Sequence, residues 1–334
     1  MSYPLTFHPV FMQRLWGGTR IQEVFGKTLP AGELIGESWE ITDRPEAVSV
    51  IANGPWAGRD LRWLMQEHRD ALLGPVPPCD DRFPLLIKIL DARQDLSVQV
   101  HPPARIAASL KGEPKTEMWY VVNSDPEARL YAGLKSGIDR RSFETHLSQG
   151  TVAECLHTLE AHAGDALFLP SGRVHAIGKG YLLFEVQQNS DTTYRVFDWN
   201  RVDTNGQPRQ LHVEASLASI DFEDHEPHLI TSRYSRSPTY KIRYLVHDPL
   251  FNVDACRVKR GLRFHLRSEG PQILGLIKGR LEIAGGGQTV LLQPGQFVLL
   301  PADLERATLE AQTQVEFLHI LPGHPAPMQG ATHP

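Results

Sequence analysis

Apolar and polar residues alternate in short runs along most of the chain, and this period of two predicts strands. The run at 96–101 is one example. Val98 and Val100 point to one face, Gln99 and His101 to the other, and Pro102-Pro103 ends it. Further runs of strand character lie at 116–122, 164–170, 181–187 and 193–199. From 240 to 321 strand follows strand, with turns such as Gly285-Gly286-Gly287, and 275–283 reads as a barrel hairpin. Near the start, 37–41 and 48–51 read as strands paired around the Asp43-Arg44-Pro45 turn, and 15–18 as a turn beside Trp16. Helical spacing is confined to a few places. Residues 59–72 predict a helix capped by Asp60 and stopped by Gly74. A short helix is expected at 103–111, another at 147–159 with 142–146 in a preceding one, and a helix or connector at 213–220 before a polar link at 225–236. Many short strands with regular turn signals predict a mainly β protein built as barrels or sandwiches.

One internal echo refines that picture. Gly164-x5-Pro170-x-Gly172-x2-His175 returns in part as Gly295-x5-Pro301, with Asp303 and Arg306 where the second glycine and the histidine would stand. Gly-x5-Pro is common enough to recur by chance. As a true repeat it predicts two related β-barrels, of which only the first keeps metal chemistry. The expected domains are a catalytic one at 1–235 with helical insertions, a second β domain at 236–322 without a metal site, and a flexible tail at 323–334.

The totals set bounds. The chain has 334 residues, 41% of them hydrophobic, which suits a globular protein with a sizeable core. A net charge of −5 offers no basic field for nucleic acid or an acidic membrane. Cys79, Cys155 and Cys256 are widely spaced and odd in number, which fits a reducing cytoplasm better than a disulfide framework. The first residues carry no signal-peptide pattern, and no apolar run has the length of a membrane span.

Chemistry concentrates between 83 and 120. Gln99 and His101 share one face of one strand, and Glu117 sits in the next. With His175, inside the 170–175 turn, they form a mixed nitrogen and oxygen set that suits zinc, and also manganese, iron or cobalt. The plain alternative is a histidine closing a strand, a surface carboxylate and a strand glutamine. Glu185 stands in an otherwise apolar strand, where a carboxylate is costly to bury without work or a partner. Trp16, Trp39 and Trp119 are either core or the walls of a sugar-sized pocket.

Gly-x5-Pro-x-Gly-x2-His is similar to the second metal motif of the cupin superfamily, small jelly-roll barrels with a histidine pointing inward. Lys179 stands where that pattern often has asparagine, and Gln99-x-His101 replaces its usual His-x-His. Gln99-Val-His101-Pro, with Pro84-Leu-Leu-Ile-Lys-Ile-Leu90 upstream and Pro114-Lys-Thr-Glu-Met-Trp-Tyr120 downstream, resembles the type I mannose-6-phosphate isomerases. Residues 185–199 resemble the short bacterial form of that family. The resemblance is dense from Leu15 to about Trp199 and thinner beyond. It implies two cupin-type barrels and a metal-dependent interconversion of mannose 6-phosphate and fructose 6-phosphate through an enediol. It implies one divalent ion, zinc first among candidates, on Gln99, His101, Glu117 and His175. It gives Arg195, Glu185 and Lys115 catalytic parts, and puts Lys88, Ser97 and Arg195 on the substrate. Arg195 would stabilise the enediolate or hold the phosphate, with pairing to Asp191 or Asp198 as the plain alternative. A monomer or homodimer is expected.

Three other readings stay open. A non-catalytic sugar-phosphate sensor would dispense with a ligand or with Arg195, and all are present. A cupin oxygenase would favour a histidine-rich iron site. An isomerase of a related sugar would use the same residue types. The Gly-rich nucleotide signature of the bifunctional guanylyltransferase form is absent from the sequence.

Overall fold

The computed structural model describes residues 2–74, 81–202, 206–268 and 270–323; Cys79 and the expected tail beyond 323 lie outside them. Contacts divide the chain into two compact units. One comprises Phe11–Ser38 and Ile87–Ile230. The other comprises residues up to Val10, Trp39–Leu86 and residues from Thr231. Residues up to Val10 and Trp39–Leu86 therefore group with the C-terminal strands; Leu5 exchanges backbone hydrogen bonds with Leu299.

The first unit is organised around two antiparallel sheets. A six-stranded sheet runs in the order Ala166–Leu169, Glu117–Ser124, Tyr181–Gln188, Leu85–Ala92, Ile35–Ile41, Val10–Gly18. A five-stranded sheet runs Leu156–Leu159, Leu130–Leu134, His175–Ile177, Val98–Val100, Tyr194–Phe197. Trp16, Leu90, Trp119, Leu130, Leu167 and Ile177 form a core between them. The opposite face of the five-stranded sheet buries Val98, Val100, Ala176 and Val196 against Phe143 of helix Arg140–Gln149. Each strand thus splits its side chains between two environments, as the alternation at 96–101 requires.

The second unit holds a five-stranded sheet, Tyr240–Asp248, Phe251–Val258, Val315–Pro322, Gln272–Lys278, Phe297–Leu300, and a four-stranded one, Arg263–Arg267, Arg306–Ala311, Leu281–Gly285, Gln288–Leu292. Leu274, Leu276, Ile283, Leu309 and Phe317 fill the space between. The protein is mainly β, with a few short helices.

Several expectations need correction. The helix expected at 147–159 is instead Arg140–Gln149, started by an Asp139 capping box and ended by Gly150 at φ 71°. The apolar residues after it belong to a 3-10 turn, Val152–Cys155, and to strand Leu156–Leu159. Two elements in series had mimicked one helical period. The helix at 59–72 is two, Leu61–Glu67 and Arg69–Leu73, broken at His68; Asp60 caps the first by accepting from the Trp63 amide at 2.7 Å. The hairpin at the Asp43 turn pairs Asp43–Arg44 with Ala47–Val48, whereas Val50–Ile51 pairs with Phe7–His8. The segment at 275–283 is no hairpin: at Gly279, φ 89°, the chain passes from one sheet to the other. Gly286 and Gly287, at φ 55° and 77°, do make a two-residue hairpin turn.

Candidate active site

Strand register assembles the site. In the five-stranded sheet His175 lies opposite Gln99, and Gln99 opposite Arg195. Residues directly opposite share a face. Ser97 and His101 flank Gln99 by two residues, so they share it too. In the six-stranded sheet Glu117 lies opposite Gln187, and Trp119 opposite Glu185. These side chains meet in the interior of the first unit.

His101, Glu117 and His175 are buried, and each offers a ligand atom within 4.8 Å of the others. Glu117 Oε2 lies 3.4 Å from His101 Nε2, and Glu117 Oε1 lies 3.3 Å from His175 Nε2. Both Nδ1 atoms face backbone carbonyls, that of Thr192 at 2.8 Å and that of Arg173 at 2.9 Å. A carbonyl only accepts, so each Nδ1 carries the proton and each Nε2 of a neutral ring presents a lone pair. Burial, with Lys115 nearby, pushes His101 down to about 3 and moves His175 in the same direction. Neutral rings therefore aim lone pairs at a carboxylate, which is unfavourable unless a cation lies among them. His101 Nε2 and both Glu117 oxygens have no hydrogen-bond partner among the described residues. The donor set suits a divalent metal ion. The Gln99 amide nitrogen faces His175 Nε2 at 3.3 Å; turning the amide over would present its oxygen to the ion.

Lys115 Nζ stands 3.1 Å from Glu117 Oε2. Burial raises the Glu117 carboxyl, but Lys115 and the imidazoles outweigh it and hold it well below the usual carboxylate range. Burial lowers Lys115, and Glu117, Glu185 and Asp191 reverse that, so its ammonium is raised above the ordinary value. Glu185 behaves oppositely. Burial pushes it up, only partly countered by Lys88 at 3.3 Å and by Trp119 Nε1, which donates to it at 3.0 Å. The cation partner weighed for Glu185 is thus present.

A cavity of about 350 Å3 opens beside these groups. Gln99, Lys115, Glu185, Lys88, Ser97 and Arg195 all line it. Arg195 donates to Ser97 Oγ at 3.2 Å and to the Gln210 carbonyl at 2.9 Å. Neither Asp191 nor Asp198 forms an ion pair with it; Asp198 takes Arg201 and Arg209 instead. Trp16 lines the cavity, Trp39 is buried and does not line it, and Trp119 donates to Glu185. The sequence reading passed over Arg14, Glu37 and Arg209, which also line the cavity. Arg14 shares a strand face with Trp16 at a spacing of two, a signal that was available. Arg209 follows a loop and carries no such signal. A larger cavity, about 560 Å3, is lined by Arg20, Asp91, Asp125 and Lys179 and holds none of the ligand set. The site belongs to the smaller one because Gln99 and Lys115, which touch His175 and Glu117 of the buried cluster, line it.

The comparisons agree with this geometry. The model for "Phosphomannose isomerase type I, catalytic domain" matches residues 5–133. The mannose-6-phosphate isomerase ManA of Bacillus subtilis is 36% identical over 320 residues, covering 95% of this chain and 99% of that protein. The chain belongs to the type I phosphomannose isomerase family. The mannose-6-phosphate isomerase of Streptococcus mutans is likewise similar, 33% identical over 96% of this chain and 99% of its own. The crystal structure of the mannose 6-phosphate isomerase from Bacillus subtilis superposes with a TM-score of 0.86 at 31% identity, over 96% of this chain and 99% of that one. A putative mannosephosphate isomerase from Archaeoglobus fulgidus, at 22% identity and a TM-score of 0.75, shares the fold. The two-barrel cupin architecture expected for a phosphomannose isomerase is the one found.

Proposed function

We propose that this chain is a metal-dependent aldose-ketose isomerase that interconverts mannose 6-phosphate and fructose 6-phosphate. The observation that carries this reading is the buried cluster of His101, Glu117 and His175 with unsatisfied ligand atoms, next to a sugar-sized cavity whose lining residues Gln99 and Lys115 reach His175 and Glu117. Gln99, His101, Glu117 and His175 would hold the ion, with zinc our choice from the nitrogen and oxygen donors. When bound, the ion supplies a Lewis acid beside the substrate oxygens. The protein's own groups do the rest. Glu185, raised by burial, holds and moves a proton at a carboxylate oxygen, the requirement for transfer between C2 and C1. Lys115 faces the developing negative oxygen as a fixed cation. Arg195 brings an uncompensated guanidinium to the substrate, and Ser97 braces it. Lys88 contributes a donor from the opposite wall.

We read the C-terminal strands from 236 as non-catalytic, because among the described residues the one metal-type cluster lies in the first unit. Among these residues no helix is long and apolar enough to cross a membrane. We assign the enzyme to the cytoplasm on cysteine usage, as a monomer or homodimer. An enzyme-linked assay for fructose 6-phosphate formed from mannose 6-phosphate, before and after chelation, tests the reading. Turnover that depends on metal is expected; full turnover by metal-stripped protein would refute it.

A further inference from the structure

Positive charge around the substrate cavity is compensated unevenly. Arg14 is held by both oxygens of Glu37, at 3.0 and 3.3 Å. Lys88 lies 3.3 Å from Glu185 and 3.9 Å from Glu37, and Lys115 lies against Glu117. These three cations each face a carboxylate. The end of the cavity at Arg195 is different. The Arg195 guanidinium donates only to a hydroxyl and a carbonyl among the described residues. Arg209 gives Nε and one Nη to Asp198, both at 2.8 Å. That carboxylate is shared, because Arg201 also reaches its Oδ1 at 2.6 Å. Two guanidiniums thus share one carboxylate, and Arg195 beside them bonds none. Arg209 and Arg201 stand near enough to Arg195 to weaken its hold on its own proton, with burial the larger cause. Of the three, Arg195 and Arg209 line the cavity, and this incompletely compensated positive charge is unfavourable in the empty protein and favourable once a dianion arrives.

We propose that Arg209 is a second phosphate-gripping residue, acting with Arg195, and that Asp198 is the positioning residue that aims it. The proposal rests on the sugar-phosphate reading above and adds to it where the phosphoryl group sits. A guanidinium suits this work because it offers donors in a planar fork to two phosphate oxygens. Asp198 is 6% exposed and occupies the Nε edge of Arg209, so the side chain is fixed in direction. The second Nη of Arg209 has no partner among the described residues, and its side chain is 27% exposed. The substrate would then lie with its phosphate at the Arg195–Arg209 end and its C1–C2 end toward the histidine cluster.

The test uses the metal-loaded full chain with two readouts, KM for mannose 6-phosphate and the inhibition constant of inorganic phosphate. Arg209→Met is expected to raise both about tenfold or more, the loss of a charge-assisted hydrogen bond, with kcat falling less than KM rises. Arg209→Lys keeps the charge but not the fork, and should recover part of the loss. Asp198→Asn should raise both constants by a smaller factor. Were Arg209→Met to misfold, Arg209→Lys decides, a rise of about threefold in the phosphate constant being expected. An unchanged phosphate constant in the folded variants, or a fall in kcat alone, overturns the proposal. Absence of mannose 6-phosphate turnover in the unsubstituted protein would instead strike the isomerase reading. Calorimetric titration of inorganic phosphate would then still decide whether Arg209 grips it.

Discussion

The two units carry the same local device and use it differently. In the first, Gly164 N donates to the Val121 carbonyl and Val121 N to the Asp165 carbonyl, both at 2.9 Å. In the second, Gly295 N donates to the Leu276 carbonyl at 2.8 Å and Leu276 N to the Gln296 carbonyl at 3.0 Å. The pairing continues in step, so that Glu117 opposite Leu169 corresponds to Gln272 opposite Leu300. The partial repeat in the sequence is therefore a repeat in the fold. At the matched position the first unit has a carboxylate facing two imidazoles. The second has a neutral amide that accepts from His319 Nε2 at 2.8 Å and donates to the Arg267 carbonyl at 2.8 Å. Where the first unit buries His175, the second has Arg306, exposed and bonded to His265. One interior leaves His101 Nε2 and both Glu117 oxygens unsatisfied; in the other the matched amide of Gln272 is satisfied and the core is hydrocarbon. A barrel of this kind supports a metal site only when its neighbouring strands all supply ligands. Losing them frees the interior to serve as core.

That contrast yields graded expectations. The largest effect should come from His101→Ala or His175→Ala. Bound metal should vanish by elemental analysis, and turnover should fall by roughly 10³-fold or more, beyond the loss of one oxyanion donor. Arg195→Ala should keep its metal and lose on the order of 10²–10³-fold in turnover; metal loss there would show that the ligand set and the arginine cannot be separated. Phe317→Ala in the apolar interior should cost about 3–5 kcal/mol in denaturant unfolding, with activity per folded molecule unchanged. A fall in kcat there would show that the second unit is not merely core.

A smaller effect concerns pH. Burial pushes His319 down to about 4 from its ordinary 6.5. Between those values the unfolded chain binds a proton that the folded chain refuses. This contribution to stability is complete above 6.5 and is lost as pH falls toward 4. The difference between the unsubstituted protein and His319→Gln should change by on the order of 3 kcal/mol across that window. The smallest expected effect is that of Gln272→Glu. It should bring no measurable metal to the second unit, since neither His319 nor Arg306 completes a set; metal gained there would mean that one carboxylate is enough.

Much of this was legible beforehand for a physical reason. The period of two at 96–101 placed Gln99 and His101 on one face, and the structure keeps them there. Glu117 and His175, expected from their motifs, fall in the buried cluster with His101, and Arg195 lines the cavity. Periodicity failed where it spanned two elements, as at 147–159, because a 3-10 turn and a strand in series bury residues at nearly the spacing of a helix. It also failed at 275–283, where a glycine at φ 89° carries the chain from one sheet to another without any change in the apolar pattern.

By itself the amino-acid order determined which residue types were available, the face of each strand on which they stood, and the kinship with one enzyme family. It could not decide which charges would be neutralised. That depended on neighbours brought across strands: Glu37 beside Arg14, Glu185 beside Lys88, and one Asp198 divided between Arg201 and Arg209. Electrostatic balance depends on distance in space and on exclusion of water, and both exist only once the sheets have closed around the cavity.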